Sequence, residues 1–329
     1  MYNITCAIDK GVICLKRIFE LTTKDIETIN KNELREIIEK SEGRTVMSEC
    51  IISYTPYIKE VSNLELASSF GADMLTLNTF DFEKPFIFGI DGGNILLNDL
   101  GKIAQVYEES VKRNLNDKNY IKNIKKLVGR LIGVNLEPVP EGSTYQKGFT
   151  LNEYSLKKVK EYGFDYIVIT GNPNTGVNAE TICNGIKLAK EILGEDTLII
   201  AGKMHGAGSG NIYDEETIKG FIDAGADVVL IPAPGTVPGF DLSLAKDIIS
   251  MIHDNGALAM TTIGTSQEGS SKSVIEQIAL NSKMAGADIQ HIGDCGTFGM
   301  AVPENIMTLS VAIRGIRHTY RRMAQSILR

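Results

Sequence analysis

No window of the 329-residue sequence is apolar and uncharged for long enough to span a bilayer. The opening stretch MYNITCAIDKGVICLKR breaks its apolar residues with an acid and two lysines and lacks a small-residue cleavage pattern, so a cytoplasmic location is expected. Basic residues are in deficit: 34 Lys+Arg against 41 Asp+Glu give a formal net charge of -7. Such a surface has no broad positive field for phosphodiester backbones or anionic lipid, which argues against nucleic-acid and membrane partners. The cysteines (Cys6, Cys14, Cys50, Cys183 and Cys295) are odd in number, widely spaced and without a C-x-x-C pair. That argues against a disulfide framework or a structural zinc site and for reduced, mostly buried thiols.

What is present is ample material for a core, with 43% hydrophobic residues, and a phrase used four times: FGADMLTLN from Phe70, YGFDYIVIT from Tyr162, AGADVVLIP from Ala224 and AGADIQHIG from Ala285. Each reads as a helix-ending Gly, an Asp and then a run rich in β-branched residues. That is the pattern of an αβ turn feeding a strand buried on both faces. Gly163, Gly225 and Gly286 stand 62 and 61 residues apart. One βα unit needs about 30 residues, so a further strand must lie in each interval. These strands are TVMSECII (45–52), RLIGVNLEPV (130–139), DTLIIAGKMH (196–205) and ALAMTTIG (257–264). Amphipathic segments such as LNEYSLKKVKEYG and SKSVIEQIALNSKMAG separate them.

Eight strands alternating strictly with helices predict an α/β protein of the (β/α)8 TIM-barrel class, with a last helix from about Pro303 to Leu328. A doubly wound open sheet is the alternative, disfavoured because no dinucleotide fingerprint follows the first strand. Residues 1–44 read as an N-terminal helical extension that covers the bottom of the barrel or a neighbouring subunit, which leaves a homo-oligomer open, and residues 45–329 as the barrel itself. Residues 81–130 are longer than an ordinary βα connection and read as an insertion after strand 2. Its KPFIFGIDGGNILL stretch suits a hairpin or lid over the mouth, or a plain structural addition.

Alternation along each strand assigns directions. Counted from the Asp of each phrase, Leu75, Leu77, Ile167, Ile169, Val229, Ile231 and Ile292 share the parity expected to face helices, whereas Thr76, Asn78, Val168, Thr170, His291 and Gly293 face the barrel interior. Glu49, Asn135 with Glu137, and Lys203 with His205 are expected to end the odd-numbered strands facing inward too, and Asn172 extends strand 4. Buried polar groups are costly unless they satisfy one another or a ligand, and polar residues at the C-termini of barrel strands read as catalytic. Lys203, His205, Glu137 and Glu49 are therefore the catalytic candidates, and Asn78, Asn135, Thr170, Asn172, His291 and Asp294 the substrate-binding ones. The plainer readings are an ion pair of Lys203 with Glu137 or Glu49, and a core role for His291.

The loops TIGTSQEGSSKS and GDCGTFGMAVPEN follow strands 7 and 8, where such barrels commonly hold a phosphate on backbone N–H groups. Gly264, Thr265, Ser266, Gly293, Gly296 and Thr297 are accordingly the phosphate-binding candidates. Asp294 sits awkwardly among them, because a carboxylate repels a phosphate unless it engages a metal, a sugar hydroxyl or a lysine.

The segments HIGDCGTFGMAVPENIMTLSVAIRGIRHTYRRMA, VNLEPVPEG, TGNPNTGV and AGKMHGAG resemble a family of uncharacterised bacterial (β/α)8 proteins often encoded near sugar phosphotransferase transport genes, over essentially the whole chain from about residue 17. Members are sometimes labelled haloacid dehalogenase-like hydrolases, yet the D-x-D-x-[TV] nucleophile pattern of such enzymes does not occur here. The resemblance implies a phosphorylated carbohydrate as ligand. Two expectations of different class follow. One is a lyase or isomerase of a small phosphorylated sugar or acid, in which Glu137 or His205 moves a proton and Lys203 stabilises developing negative charge or forms an imine. A metal-dependent variant, resembling phosphoenolpyruvate-type mutases and lyases, would recruit Glu49, Glu137 or Asp294 to Mg2+. The other is a non-catalytic metabolite-binding sensor that reports to a partner through its helical N-terminus.

Overall fold

The computed structural model describes residues 16–92, 100–172, 174–204, 213–296 and 299–328. Its eight strands are β1 (Thr45–Ile51), β2 (Met74–Asn78), β3 (Leu131–Leu136), β4 (Tyr166–Ile169), β5 (Leu198–Gly202), β6 (Val228–Pro232), β7 (Leu258–Ile263) and β8 (Ile289–Ile292). All are parallel and follow one another in chain order around a closed barrel, with β8 returning to β1 so that His291 lies opposite Met47. The (β/α)8 architecture is therefore the fold, and the open sheet is ruled out.

The repeated phrase has a mechanical reason. Gly163, Gly225 and Gly286 end the helices Glu153–Tyr162, Glu215–Ala224 and Lys272–Ala285 in the left-handed conformation, which a residue without a Cβ adopts freely. The Asp two residues later then grips a single residue of the preceding strand twice, through its backbone N–H and its carboxylate. Asp73 donates to the Val46 carbonyl (2.8 Å) and accepts the Val46 N–H (2.9 Å). Asp165 does the same with Ile132, Asp227 with Ile199 and Asp288 with Ala259. Each carboxylate also meets a cationic or imidazole partner: Asp73 meets Arg314 and Arg322, Asp165 Lys125, Asp227 Lys31 and Asp288 His253. Capping the N–H of the second residue of strands β1, β3, β5 and β7 in this way satisfies donors that would otherwise be orphaned at the lower rim.

The side-chain parity divides the core into two shells. Leu75, Leu77, Ile132, Val134, Ile167 and Ile169 pack outward beneath the helices. Met47, Met74, Leu131, Tyr166, Leu198, Ile200, Val228 and Met260 fill the lower barrel. Gly133 makes room on the axis, since a Cβ there would lie 2.1 Å from the Tyr166 ring, and the Tyr166 hydroxyl meets Thr76 Oγ1 at 3.0 Å. The N-terminal segment closes this lower end. Capping boxes at Thr22 with Asp25 and at Asn30 with Glu33 start its helices, and Ile18, Phe19, Leu34, Ile37 and Ile38 join the same apolar plug.

Two other segments fill in the expectations: a plain structural addition after β2, and a last helix shorter than expected. Between 81 and 130 lie a short turn of helix, Leu100–Lys102, and the helices Ile103–Asn116 and Tyr120–Val128. The described part of KPFIFGIDGGNILL forms no strand: it is a turn whose Asp91 carboxylate accepts from Ile87 N–H, Arg113, Asn114 and Tyr120, pinning the loop to both helices. Residues 93–97 of that stretch lie outside the described residues. The last helix, Pro303–Met323, breaks at Gly315 (φ 74°) and stops short of Leu328. Among the described residues, no helix is long and apolar enough to cross a membrane.

Candidate active site

The interior parity carries Glu49 on β1, Asn78 on β2, Asn135 on β3 and His291 on β8 above the plug residues Met47, Met74, Leu131 and Ile289 of their own strands, toward the C-terminal end of the barrel. Glu49, Asn78, Asn135, Glu137, Thr170, Asn172 and Asp294 line one cavity of about 470 Å³, together with Thr265, Ser266 and Gly296. His291 lies beneath it, 2% exposed, with Nε2 3.1 Å from Glu49 Oε2.

Glu49 is the centre of the floor. Asn78 donates its amide to Glu49 Oε1 at 2.6 Å. Burial by itself would raise the Glu49 carboxyl, but hydrogen bonds from His291, Asn135 and Asn78 outweigh it and hold the group below its ordinary value. Asp294 goes the other way: burial, and then the charge of Glu49, push it up to about 6, although it shares the Asn78 amide. Glu137, one residue past β3, forms a second centre. It accepts from the Tyr145 hydroxyl at 2.5 Å, from the Asn172 backbone N–H at 3.1 Å and from the Asn172 side-chain amide. Burial and the bond to Glu137 raise the Tyr145 phenol, so it stays protonated.

The loops after β7 and β8 do wrap backbone around anionic groups, and those groups are the protein's own. The Cys295 N–H is bonded to Glu268, and the Gly296 N–H donates to Asp294 Oδ1 at 2.8 Å. Glu268 is pushed up to about 6 by burial, with the charge of Asp294 adding to the shift. It fits only because residue 293 is glycine: a Cβ there would stand 2.6 Å from Glu268 Oε1. Among the described residues, four of the seven non-glycine residues with positive φ, Thr79, Thr265, Ser266 and Cys295, line this cavity, so backbone strain is concentrated at the mouth.

Not every expected residue joins the cavity. Leu198 and Ile200 point into the plug while Ile199 and Ala201 pack outward, so Lys203 belongs to the outward parity. β5 ends at Gly202, and the Lys203 ammonium donates to the Val177 carbonyl at 3.1 Å instead of lining the cavity. Burial lowers its pKa, with Glu137 opposing the shift. The inward direction expected for Lys203 is thus corrected. Gly264 packs beside Met204, and Gly293 touches the site only through Glu268. His205 and Thr297 lie outside the described residues.

Sequence reasoning overlooked Glu268, Tyr145, Phe149, Met204, Thr79 and Cys295, all of which line the cavity. Glu268 was within reach, being the one acid of TIGTSQEGSSKS. Tyr145 and Phe149 sit on a loop with no periodic signal. Among the described residues, no three His, Cys, Asp or Glu side chains stand together to hold a metal ion. The oxygens of Glu49 and Glu137 are moreover occupied by protein donors. The residues present therefore do not form a ready Mg2+ site.

Comparison with known proteins places the chain by its sequence. It belongs to the family described as "Domain of unknown function (DUF7916)", whose profile matches residues 19–329. No curated relative matches the chain. Neither a sugar-transport setting nor a dehalogenase label for the family finds support in these comparisons. Among solved structures the chain is similar to 2,3-dimethylmalate lyase, a PEP mutase/isocitrate lyase superfamily member, at 14% identity and TM-score 0.47, over 80% of this chain and 81% of that one. It is also similar to oxaloacetate acetylhydrolase, at 12% identity and TM-score 0.47 over 81% of each chain. A third, thiamine phosphate pyrophosphorylase from Pyrococcus furiosus, is 12% identical with TM-score 0.45 over 85% of this chain and 97% of that one. Likeness at this level carries no argument about the chemistry of the DUF7916 site, which rests on its own residues.

Proposed function

We propose that the protein is an enzyme of lyase or isomerase type that moves a proton on a small polar metabolite held at the barrel mouth. The observation that supports this reading is the divergence of two neighbouring carboxyls, Glu49 held below its ordinary value and Asp294 pushed up to about 6. Environments that drive adjacent acids apart assign them different roles. Asp294 is poised to exchange a proton near neutral pH, as a base when ionised and an acid after it has taken the proton. Glu49 remains ionised and orients His291. In the proposed step Asp294 takes a proton from carbon, and the C–H electron pair moves toward an adjacent carbonyl oxygen. Returning the proton at the former carbonyl carbon, while the neighbouring hydroxyl passes its own proton to the enolate oxygen, completes an isomerisation; re-forming the carbonyl as a substituent on the next carbon leaves with its bonding pair completes an elimination of lyase type.

A phosphate on the ligand is not needed by this reading. The Cys295 and Gly296 N–H groups that would hold one are bonded to Glu268 and Asp294, and both carboxylates would repel it. No step is assigned to a metal ion.

The test is proton NMR in D2O with a panel of small hydroxy aldehydes, hydroxy ketones and aldoses, uncharged and amino-substituted. The expected result is enzyme-dependent deuterium wash-in at a carbon next to a carbonyl, reduced about 10²–10⁴-fold in Asp294→Asn. Wash-in that Asp294→Asn leaves unchanged overturns the assignment. Binding of a panel member without any wash-in overturns it too, in favour of the sensor reading.

A further inference from the structure

We infer that the mouth receives a positively charged end of its ligand, a protonated amine seated between Glu268 and Asp294. The inference rests on the cavity being the ligand site and not on the proton-transfer role of Asp294.

The first observation is the balance of charge. Glu49, Glu137, Glu268 and Asp294 all line the cavity, and no lysine or arginine does so among the described residues. Lys203 spends its ammonium on the Val177 carbonyl. The second is a census of hydrogen bonds. The amides of Asn78 and Asn135 are directed at Glu49, and that of Asn172 at Glu137. The N–H groups of Cys295 and Gly296 are taken by Glu268 and Asp294. These amide and backbone donors are thus consumed by the site's own carboxylates, and the buried polar atoms left over can all accept. Glu268 Oε2, Asn135 Oδ1 and Thr170 Oγ1 are buried without a partner, on residues 5%, 8% and 6% exposed. All three residues line the cavity.

A buried carboxylate oxygen and a buried amide oxygen without donors are costly, and the cost is removed by a ligand that brings donors. An ammonium carries three donors, no acceptor and one positive charge, which matches the unpaired Glu268 oxygen beside Asp294, while Asn135 and Thr170 can accept from hydroxyl donors elsewhere on the same ligand. The raised carboxyls fit the same picture: after burial, the charge of Asp294 adds to the rise of Glu268 and that of Glu49 to the rise of Asp294, and the opposing charge of His291 is outweighed at both. A bare metal ion suits the site less well, because no three ligating side chains are grouped for it among the described residues. A phosphate is disfavoured by the same charges.

Isothermal titration of the whole protein at neutral pH distinguishes these ligands, with glucosamine, glucose, glucose 6-phosphate and magnesium chloride as probes. Glucosamine is expected to bind about tenfold or more tightly than glucose, as a charge-assisted hydrogen bond gained in a buried site would give, with glucose 6-phosphate weakest. Glu268→Gln and Asp294→Asn should each erase most of the preference for the amine while circular dichroism shows the fold intact. The proposal is overturned if glucose 6-phosphate binds best, if no probe binds, if magnesium chloride alone binds, or if the amine preference survives in the Glu268→Gln/Asp294→Asn double variant. Deuterium wash-in with uncharged compounds but no amine preference would sink this inference and leave the proposed reaction standing, and the converse result would do the opposite.

Discussion

Changing Asp73 to Asn removes one charge and one acceptor while keeping the strand cap, because the amide oxygen of Asn still accepts the Val46 N–H. The loss falls on Arg314 and Arg322, whose side chains are 0% exposed and which pair with Asp73 at 2.5 and 2.9 Å. Burial already brings the Arg322 pKa down to about 10 despite the opposing pull of Asp73. Without that carboxylate both guanidiniums remain buried beside one another, and breaking a buried pair from one side costs about 3–5 kcal/mol. The same change at Asp288 strands only His253, which is 39% exposed, so it costs about 1 kcal/mol or less. An unfolding entropy of about 2.1 cal/mol/K per residue over this length is about 0.7 kcal/mol/K. Asp73→Asn should therefore lower the melting temperature by about 4–7 °C, and Asp288→Asn by under about 1.5 °C. Scanning calorimetry of the two variants beside the wild type makes the comparison. Equal shifts would refute the reasoning, since they would mean that the carboxylates serve only to cap the strand N–H groups and that the buried arginines draw nothing from Asp73.

The remaining predictions concern pH. The hydrogen bond to Asp288 raises the His253 pKa above 6.5, so the stability it contributes is complete below that value and is lost as pH rises through the higher folded value. Urea midpoints across this window should fall slightly in the wild type and stay flatter in His253→Gln. A steeper fall in the variant would contradict the assignment. Glu268 and Asp294 are raised to about 6 from 4.5 and 3.8, so the folded state holds their protons longer and loses stability as pH climbs from the unfolded values through 6. Glu268→Gln should accordingly stabilise the protein above pH 6 by about 1–2 kcal/mol and have little effect near pH 4. A gain of the same size at both ends of the range would show that the Glu268 carboxyl is not raised.

The barrel was legible because its signals are local. A helix-ending Gly, an Asp and an alternating apolar run each follow from the bonds of one αβ turn, and four copies at regular spacing leave few other folds. Much of the mouth was legible for the same reason: strict alternation from Met74 to Asn78 or from Leu131 to Asn135 carries a polar residue upward on the inner face. Lys203 escapes that logic because it is an odd number of residues from the inward-facing Leu198 and Ile200, and because β5 gives out at Gly202, whose φ of 149° departs from the strand. Glu268 and Tyr145 come from loops, where no period relates position to direction. The glycines of the last two loops announced a backbone able to enclose an anion, but composition alone does not say whether that anion comes from outside or from Glu268 and Asp294. Similarly, nothing in the basic run RGIRHTYRR distinguishes the two arginines that reach a buried aspartate more than two hundred residues earlier in the chain.

The double grip of each rim aspartate joins β1 to β2, β3 to β4, β5 to β6 and β7 to β8, always within a pair. Between pairs the lower rim is stitched by main-chain bonds such as Leu198 N–H to the Asp165 carbonyl. The barrel is thus four latched couples of staves, not eight equivalent ones. A chain cut and rejoined at a seam between couples keeps every latch, whereas one cut inside a couple leaves that latch to hold two ends no longer tied by the chain.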